Sequence, residues 1–140
     1  MIVVDTGPIV AAAIANDRKH RACTTVFQRL HQDRRELLVP SFVAAEACYM
    51  LGKLGSPKVE AGFLRSLEAG IFTLIELTET DLLRIASLVE RYSDLPLGSA
   101  DASVVAIAER LRIPEVLTLD ARDFSVVRPA HVPAFVLLPA

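Results

Sequence analysis

The chain has 140 residues, 52% of them hydrophobic, and a formal net charge of −2. That is enough apolar material for the core of one domain over residues 1–140, and the slightly acidic balance excludes a protein that binds nucleic acid through overall positive charge. The longest unbroken apolar run, Ile9 to Ala15, is too short to cross a membrane, and no basic export signal precedes it, so a cytosolic protein with no membrane partner is expected.

The chain opens with Ile2-Val3-Val4, a buried strand that runs straight into Asp5 and the turn-forming Thr6-Gly7-Pro8. Pro8 signals a helix start, and a short apolar helix is expected over Ile9–Ala15. A second helix from about Arg18 to His31 places Ala22, Val26, Phe27 and Leu30 on one face. Leu37-Leu38-Val39 reads as a strand closed by Pro40. The helix expected from Ser41 to about Leu54 is apolar through its middle except for Glu46.

Ser56-Pro57 restarts a helix that Gly70 stops, and Phe72 to Leu77 reads as a strand. Thr78 and Asp81 form a capping-box pattern for a helix to about Tyr92. After the loop 93–98 a helix runs from Ser99 or Ala100 to about Arg112. Val116 to Leu119 is a strand ending at Asp120, and Phe135-Val136-Leu137 is the last. Alternating strands and helices give an α/β class, a three-layer α/β/α sandwich around a mainly parallel sheet. Right-handed crossovers then bring Asp5 and Asp120 to one sheet edge. Cys23 and Cys48 fall among apolar neighbours and read as small core residues.

Four carboxylates stand where a core would rather have none. Asp5 and Asp120 end apolar strands, Asp101 sits in the first turn of an apolar helix, and Glu46 interrupts another with no basic residue one turn away. Each has an ordinary reading: Asp5 as a helix cap, Asp101 as a partner of the helix dipole, Asp120 as a turn residue. Glu46 is hardest to dismiss, because a buried unpaired carboxylate is costly. Two carboxylates about 5 Å apart at an effective dielectric of about 20 repel by roughly 3 kcal/mol, so four that converge must hold protons or recruit a cation. All-oxygen ligands suit Mg²⁺ or Mn²⁺, and the chemistry that follows is metal-assisted phosphodiester hydrolysis.

These residues carry a resemblance. The opening Ile-Val-Val-Asp5-Thr6, the helix around Ala45-Glu46, the stretch from Leu97 through Asp101-Ala102 into Val104-Val105, and Leu117-Thr118-Leu119-Asp120 through Phe124 together resemble PIN-domain proteins of the VapC type. The resemblance implies an endoribonuclease dependent on Mg²⁺ or Mn²⁺, the toxin of a toxin–antitoxin pair, with RNA as substrate. It also implies a homodimer and a VapB-type antitoxin whose C-terminal segment covers the acidic groove; a mean hydropathy of +0.40 agrees with covered surfaces. Carried across, Asp5, Glu46, Asp101 and Asp120 form the metal and catalytic site, Asp123 is an accessory, and Thr6 and Thr118 hydrogen-bond and orient the acids. Asp94 reads as a solvated loop acid. Local basic clusters, Arg18-Lys19 and Arg34-Arg35, and Arg122 beside Asp120 are the residues suspected of holding an RNA backbone. The competing reading is a PIN-like module that binds a partner protein and has no catalytic activity. A phosphatase or receiver-type protein with Asp5 as nucleophile is weakened by Gly7, where such proteins carry a second acid.

Overall fold

A computed structural model describes residues 1–139. Five strands, β1 (Ile2–Val4), β2 (Leu37–Pro40), β3 (Thr73–Ile75), β4 (Glu115–Leu117) and β5 (Val136–Leu138), form one sheet of order β3-β2-β1-β4-β5, and every pairing is parallel. The central strand β1 and its neighbours β2 and β4 are made of residues with almost no solvent exposure, apart from the half-buried Glu115 that opens β4. Continuous Val, Ile and Leu runs, rather than alternation, are what a parallel sheet covered on both faces requires. Seven helices flank it: α1 (Thr6–Ala13), α2 (His20–Gln32), α3 (Ser41–Leu54), α4 (Pro57–Glu68), α5 (Glu79–Arg91), α6 (Ser99–Leu111) and α7 (Ala121–Val126). Among the described residues no helix is long and apolar enough to cross a membrane.

The helices differ from expectation at their ends. Helix α1 starts at Thr6, three residues early, because Pro8 lies in its first turn, where a missing N–H costs nothing. In α2 the inner face is Cys23, Val26, Phe27 and Leu30, with Ala22 exposed, so Cys23 is the core residue foreseen. Cys48 is only half-buried, and both thiols are free.

Strand β3 is shorter than its apolar run suggests and half exposed, as befits an edge. Strand β4 stops at Leu117, so Asp120 lies three residues beyond the strand rather than at its end. Helix α7 is unforeseen: Asp120 caps it, accepting from Asp123 N–H at 3.4 Å, and buried Phe124 anchors it against Phe135.

The capping box at the start of α5 is present, with Asp81 N–H donating to Thr78 and Thr78 N–H donating to Asp81. Asp81 is 3% exposed and is also ion-paired with Arg110 of α6 at 3.1 Å, tying α5 to α6. Asp81→Ala therefore removes a cap and leaves Arg110 without its carboxylate. The expected loss is about 2–4 kcal/mol, read as a fall in the urea midpoint with unchanged slope.

Candidate active site

Parallel strands deliver their C-terminal ends to one edge, and the acids gather there. Asp5 follows β1, and its N–H donates to the Leu117 carbonyl at the end of β4 at 2.9 Å. The segment 118–120 leaves β4 at the same edge. Helix α3 supplies Glu46 and the start of α6 supplies Asp101. The four acids line one open cavity of about 290 Å³ with Thr6, Gly7, Met50 and Leu119.

Asp5 is 4% exposed and does not cap α1 with its side chain. One carboxylate oxygen, Oδ2, accepts from the Thr118 hydroxyl at 2.9 Å; the other, Oδ1, is buried with no partner. The Thr6 hydroxyl, expected to hold an acid, is likewise buried and has no hydrogen-bond partner, which corrects that expectation for Thr6. Thr118 also accepts from the Asp120 N–H at 2.9 Å, so a single hydroxyl fixes Asp5 and the backbone of Asp120. Buried polar groups are nearly always paired, so two orphans at one place need an explanation.

Electrostatics points the same way. Burial raises the Asp5 carboxyl above the ordinary range, against the pull of the nearby Thr6 N–H and the Thr118 hydroxyl, and the charges of Glu46 and Asp120 raise it further. Burial, followed by the charges of Asp5, Glu46 and Asp120, pushes Asp101 up to about 7. No Lys or Arg lines the cavity.

Glu46 corrects an expectation. It is exposed, because α3 turns that position toward the cavity mouth, and its apolar neighbours Val43, Ala44, Ala47 and Leu51 are the ones buried. The desolvation argument that singled it out therefore fails, although the residue does join the other acids. Its neighbour Lys53 lies over the Tyr49 ring instead, 5.8 Å from the centroid.

Asp123 does not line the cavity; half-buried, it rests against Asp120, and burial and that contact raise its carboxyl. Asp94 is exposed in its loop and also outside.

Of the suspected backbone-binding residues, Arg122 stands exposed in the first turn of α7, beside Asp120. Arg35 is not brought to the acids. It bonds Glu115 at 2.6 Å, at the opposite end of the sheet where the strands begin, and Arg34 precedes it there in a left-handed conformation. They sit there because α2 must descend to that edge before β2 can start. Arg18 and Lys19 line a separate groove. Leu119, Gly7 and Met50 were not foreseen as lining residues; only the exposure of an apolar Leu119 after a buried strand would have signalled one of them.

A PIN-domain family model matches residues 2–128, which is nearly the whole chain and includes all four acids. The chain belongs to the PIN-domain family. It is 30% identical over 138 residues to Ribonuclease VapC26 of Mycobacterium tuberculosis strain ATCC 25618 / H37Rv, covering 99% of this chain and all of that protein. The PIN fold of this chain superposes on the crystal structure of Mycobacterium tuberculosis VapC20, described as a Sarcin-Ricin loop cleaving toxin, with a TM-score of 0.80 and 17% identity over 94% of this chain and 98% of the other. A toxin–antitoxin complex from Klebsiella pneumoniae gives a TM-score of 0.62 and 18% identity over 97% of this chain and all of the matched chain.

Among the described residues no three His, Cys, Asp or Glu side chains are close enough, as they stand, to hold a metal ion together. The donor set nonetheless suits a hard cation: four carboxylates, one with an unpartnered buried oxygen, and no protein cation to neutralise them. Glu46, exposed and free of hydrogen bonds, is the member with freedom to move inward. Thr118→Val would leave Asp5 Oδ2 and the Asp120 N–H both unpaired. The expected result is a roughly 10–100-fold loss of any cation-dependent activity, with a folded circular dichroism spectrum retained.

Proposed function

We propose that this protein is an endoribonuclease dependent on Mg²⁺ or Mn²⁺, and the toxin of a toxin–antitoxin pair. The observation that carries the reading is the orphaned Asp5 Oδ1, buried at the centre of four acids with no cationic side chain beside it. The likeness to Ribonuclease VapC26 over the full chain supports RNA as the substrate.

Asp5, Glu46, Asp101 and Asp120 would hold the cation. When bound, it supplies Lewis-acid polarisation of the scissile phosphate and a water made acidic enough to attack. The chain's own residues do the positioning. Thr118 holds Asp5 in place, and the cap to Asp123 holds Asp120. Asp101, near 7, carries a proton part of the time at neutral pH, and that proton must leave before the acids accept a cation. Met50 and Leu119 give the cavity an apolar side against which a base can pack, while the acidic side takes the phosphate. Arg122, exposed beside Asp120, would hold a neighbouring phosphate.

A VapB-type antitoxin is the partner that fits, its C-terminal segment covering the acidic groove, and the likeness to a toxin–antitoxin complex supports it. A homodimer is the second association proposed, supported by exposed Leu83, Tyr49, Leu54 and Leu64. Such a toxin would act in the cytoplasm, where RNA is.

The test is cleavage of a panel of structured RNAs by the purified chain in Mg²⁺ or Mn²⁺, beside EDTA controls. Cleavage that needs the cation supports the nuclease reading. No cleavage of the panel by a protein that still binds its antitoxin would favour the non-catalytic module.

A further inference from the structure

A second concavity, a groove of about 580 Å³ at the far edge of the sheet, has the opposite chemistry to the first. Arg18, Lys19, Arg21 and Arg29 line it, with Leu138 and Pro139 on its other side. None of the four cations is ion-paired among the described residues, where the pairs that form are Arg35–Glu115, Arg84–Glu109 and Arg110–Asp81. The acids nearest in sequence are Asp17, whose carboxylate accepts from the Lys19 N–H at 2.8 Å and so serves the turn into α2, and Asp33, which caps the end of α2 one turn beyond Arg29 and is in no ion pair among the described residues.

The placement follows from helix geometry. Arg21, Thr25 and Arg29 fall at i, i+4 and i+8 on α2, a stripe with steps of about 6 Å along the axis, while Cys23, Phe27 and Leu30 fill the core from the opposite face. Like charges gathered along one groove repel mildly, and no ion pair among the described residues offsets them. An anion with repeated charges does.

The groove is also joined to the acids. Leu138 ends β5, and its carbonyl accepts from the Thr118 N–H at 2.9 Å, the same Thr118 whose hydroxyl holds Asp5. Strands β1, β4 and β5 are consecutive in the sheet, so the near end of the groove lies about 10 Å from Asp5 along the sheet edge. That separation spans one or two nucleotides of a single strand.

We infer that the groove between α2 and the end of β5 holds the sugar-phosphate backbone of the RNA strand flanking the cut, with Arg21 and Arg29, about 12 Å apart along the helix axis, contacting phosphates about two nucleotides apart. This rests on the ribonuclease reading for its substrate, but not for its measurement. The Leu138–Pro139 wall gives the ribose an apolar surface, and contacts made to phosphates position the strand without reading its sequence. Specificity among RNAs then comes from how far the strand can extend from the cleft to the groove.

The experiment is fluorescence anisotropy in EDTA with a long labelled single-stranded RNA and a labelled trinucleotide, comparing wild type with Arg21→Ser/Arg29→Ser. Both residues are exposed, so the variant folds. The expected loss on the long RNA is about thirty-fold, and much smaller on the trinucleotide. The slope of log affinity against log salt should fall by about 1.4, or about 0.7 for each phosphate contact removed. Equal affinity and slope for wild type and variant would overturn the inference, as would a groove that binds an acidic peptide and not RNA. Parallel cleavage assays in Mg²⁺ separate the two readings. RNA held through the arginines but never cut keeps the groove and removes the nuclease, while RNA cut equally well by both proteins removes the groove alone.

Discussion

Asp5→Asn is expected to abolish cation-dependent RNA cleavage, by about 10³-fold or more, while making the protein more stable when no divalent ion is present. The two effects share one cause. Asp5 is buried, its carboxyl is raised by that burial, and Oδ1 has no partner. A carboxylate held this way opposes folding and contributes only when a cation arrives. Asn keeps the acceptor for the Thr118 hydroxyl and removes the charge. Losing a ligand that stabilises developing phosphate charge costs several kcal/mol, hence about three powers of ten in rate. Relief of the buried charge should raise the melting temperature in EDTA by a few degrees, at about 4 °C per kcal/mol for a chain of this size. Single-turnover cleavage and thermal melts on the same samples check both. A variant that loses activity and stability together would mean that Asp5 is structural.

The second large effect is on how stability depends on pH. The folded-state pKa of Asp101 is raised from its ordinary 3.8 to about 7, and that of Asp5 is raised too. The folded chain therefore binds protons more tightly than the unfolded chain over that window, and stability falls as pH rises through it. The penalty is absent below the unfolded value and complete above about 7. Glu109, lowered in the fold by Arg84 and the Ala130 N–H against the effect of its burial, acts oppositely, but its contribution is already complete above the unfolded carboxylate range. In EDTA the melting temperature should thus decline from about pH 5 to about pH 7, and Asp101→Asn should flatten part of that decline. Saturating Mg²⁺ should restore the loss at the alkaline end, by about 2.7 kcal/mol when free ion reaches a hundred times its dissociation constant. A wild-type melting curve that does not move with pH or Mg²⁺ would show that the acids do not interact.

Much of this site can be read in the chain because the physics is local. Ile2-Val3-Val4 before Asp5 can only be a buried strand ending in an acid, and a parallel sheet then fixes which edge that acid occupies. Thr78 and Asp81 likewise mark their helix start without help from tertiary structure. Glu46 is instructive in another way. Its apolar neighbours suggested burial, but α3 packs against α1, α4 and α6, so most of its circumference is covered and the exposed window is narrow. An acid in that window looks internal in sequence and stands at the surface in the fold.

Helix α7 stayed hidden for the opposite reason. Six residues carry too little periodicity, and what holds the helix is Asp120 as a cap and Phe124 packed on Phe135, a contact across eleven positions of sequence. The cations were legible only in part. Arg34-Arg35 and Arg18-Lys19 both stand out as runs, yet one pair lies at the wrong end of the sheet, while Arg29 shows itself only once the helix phase of α2 is known.

The most direct test of the cation site is titration calorimetry of Mn²⁺ into the metal-free protein near pH 7, repeated in buffers of different ionisation enthalpy. Saturable binding accompanied by release of protons is expected, because Asp101 and Asp5 must give theirs up, with both the binding and the release lost in Asp5→Asn. Binding without proton release, binding that survives Asp5→Asn unchanged, or no binding at all would contradict that expectation.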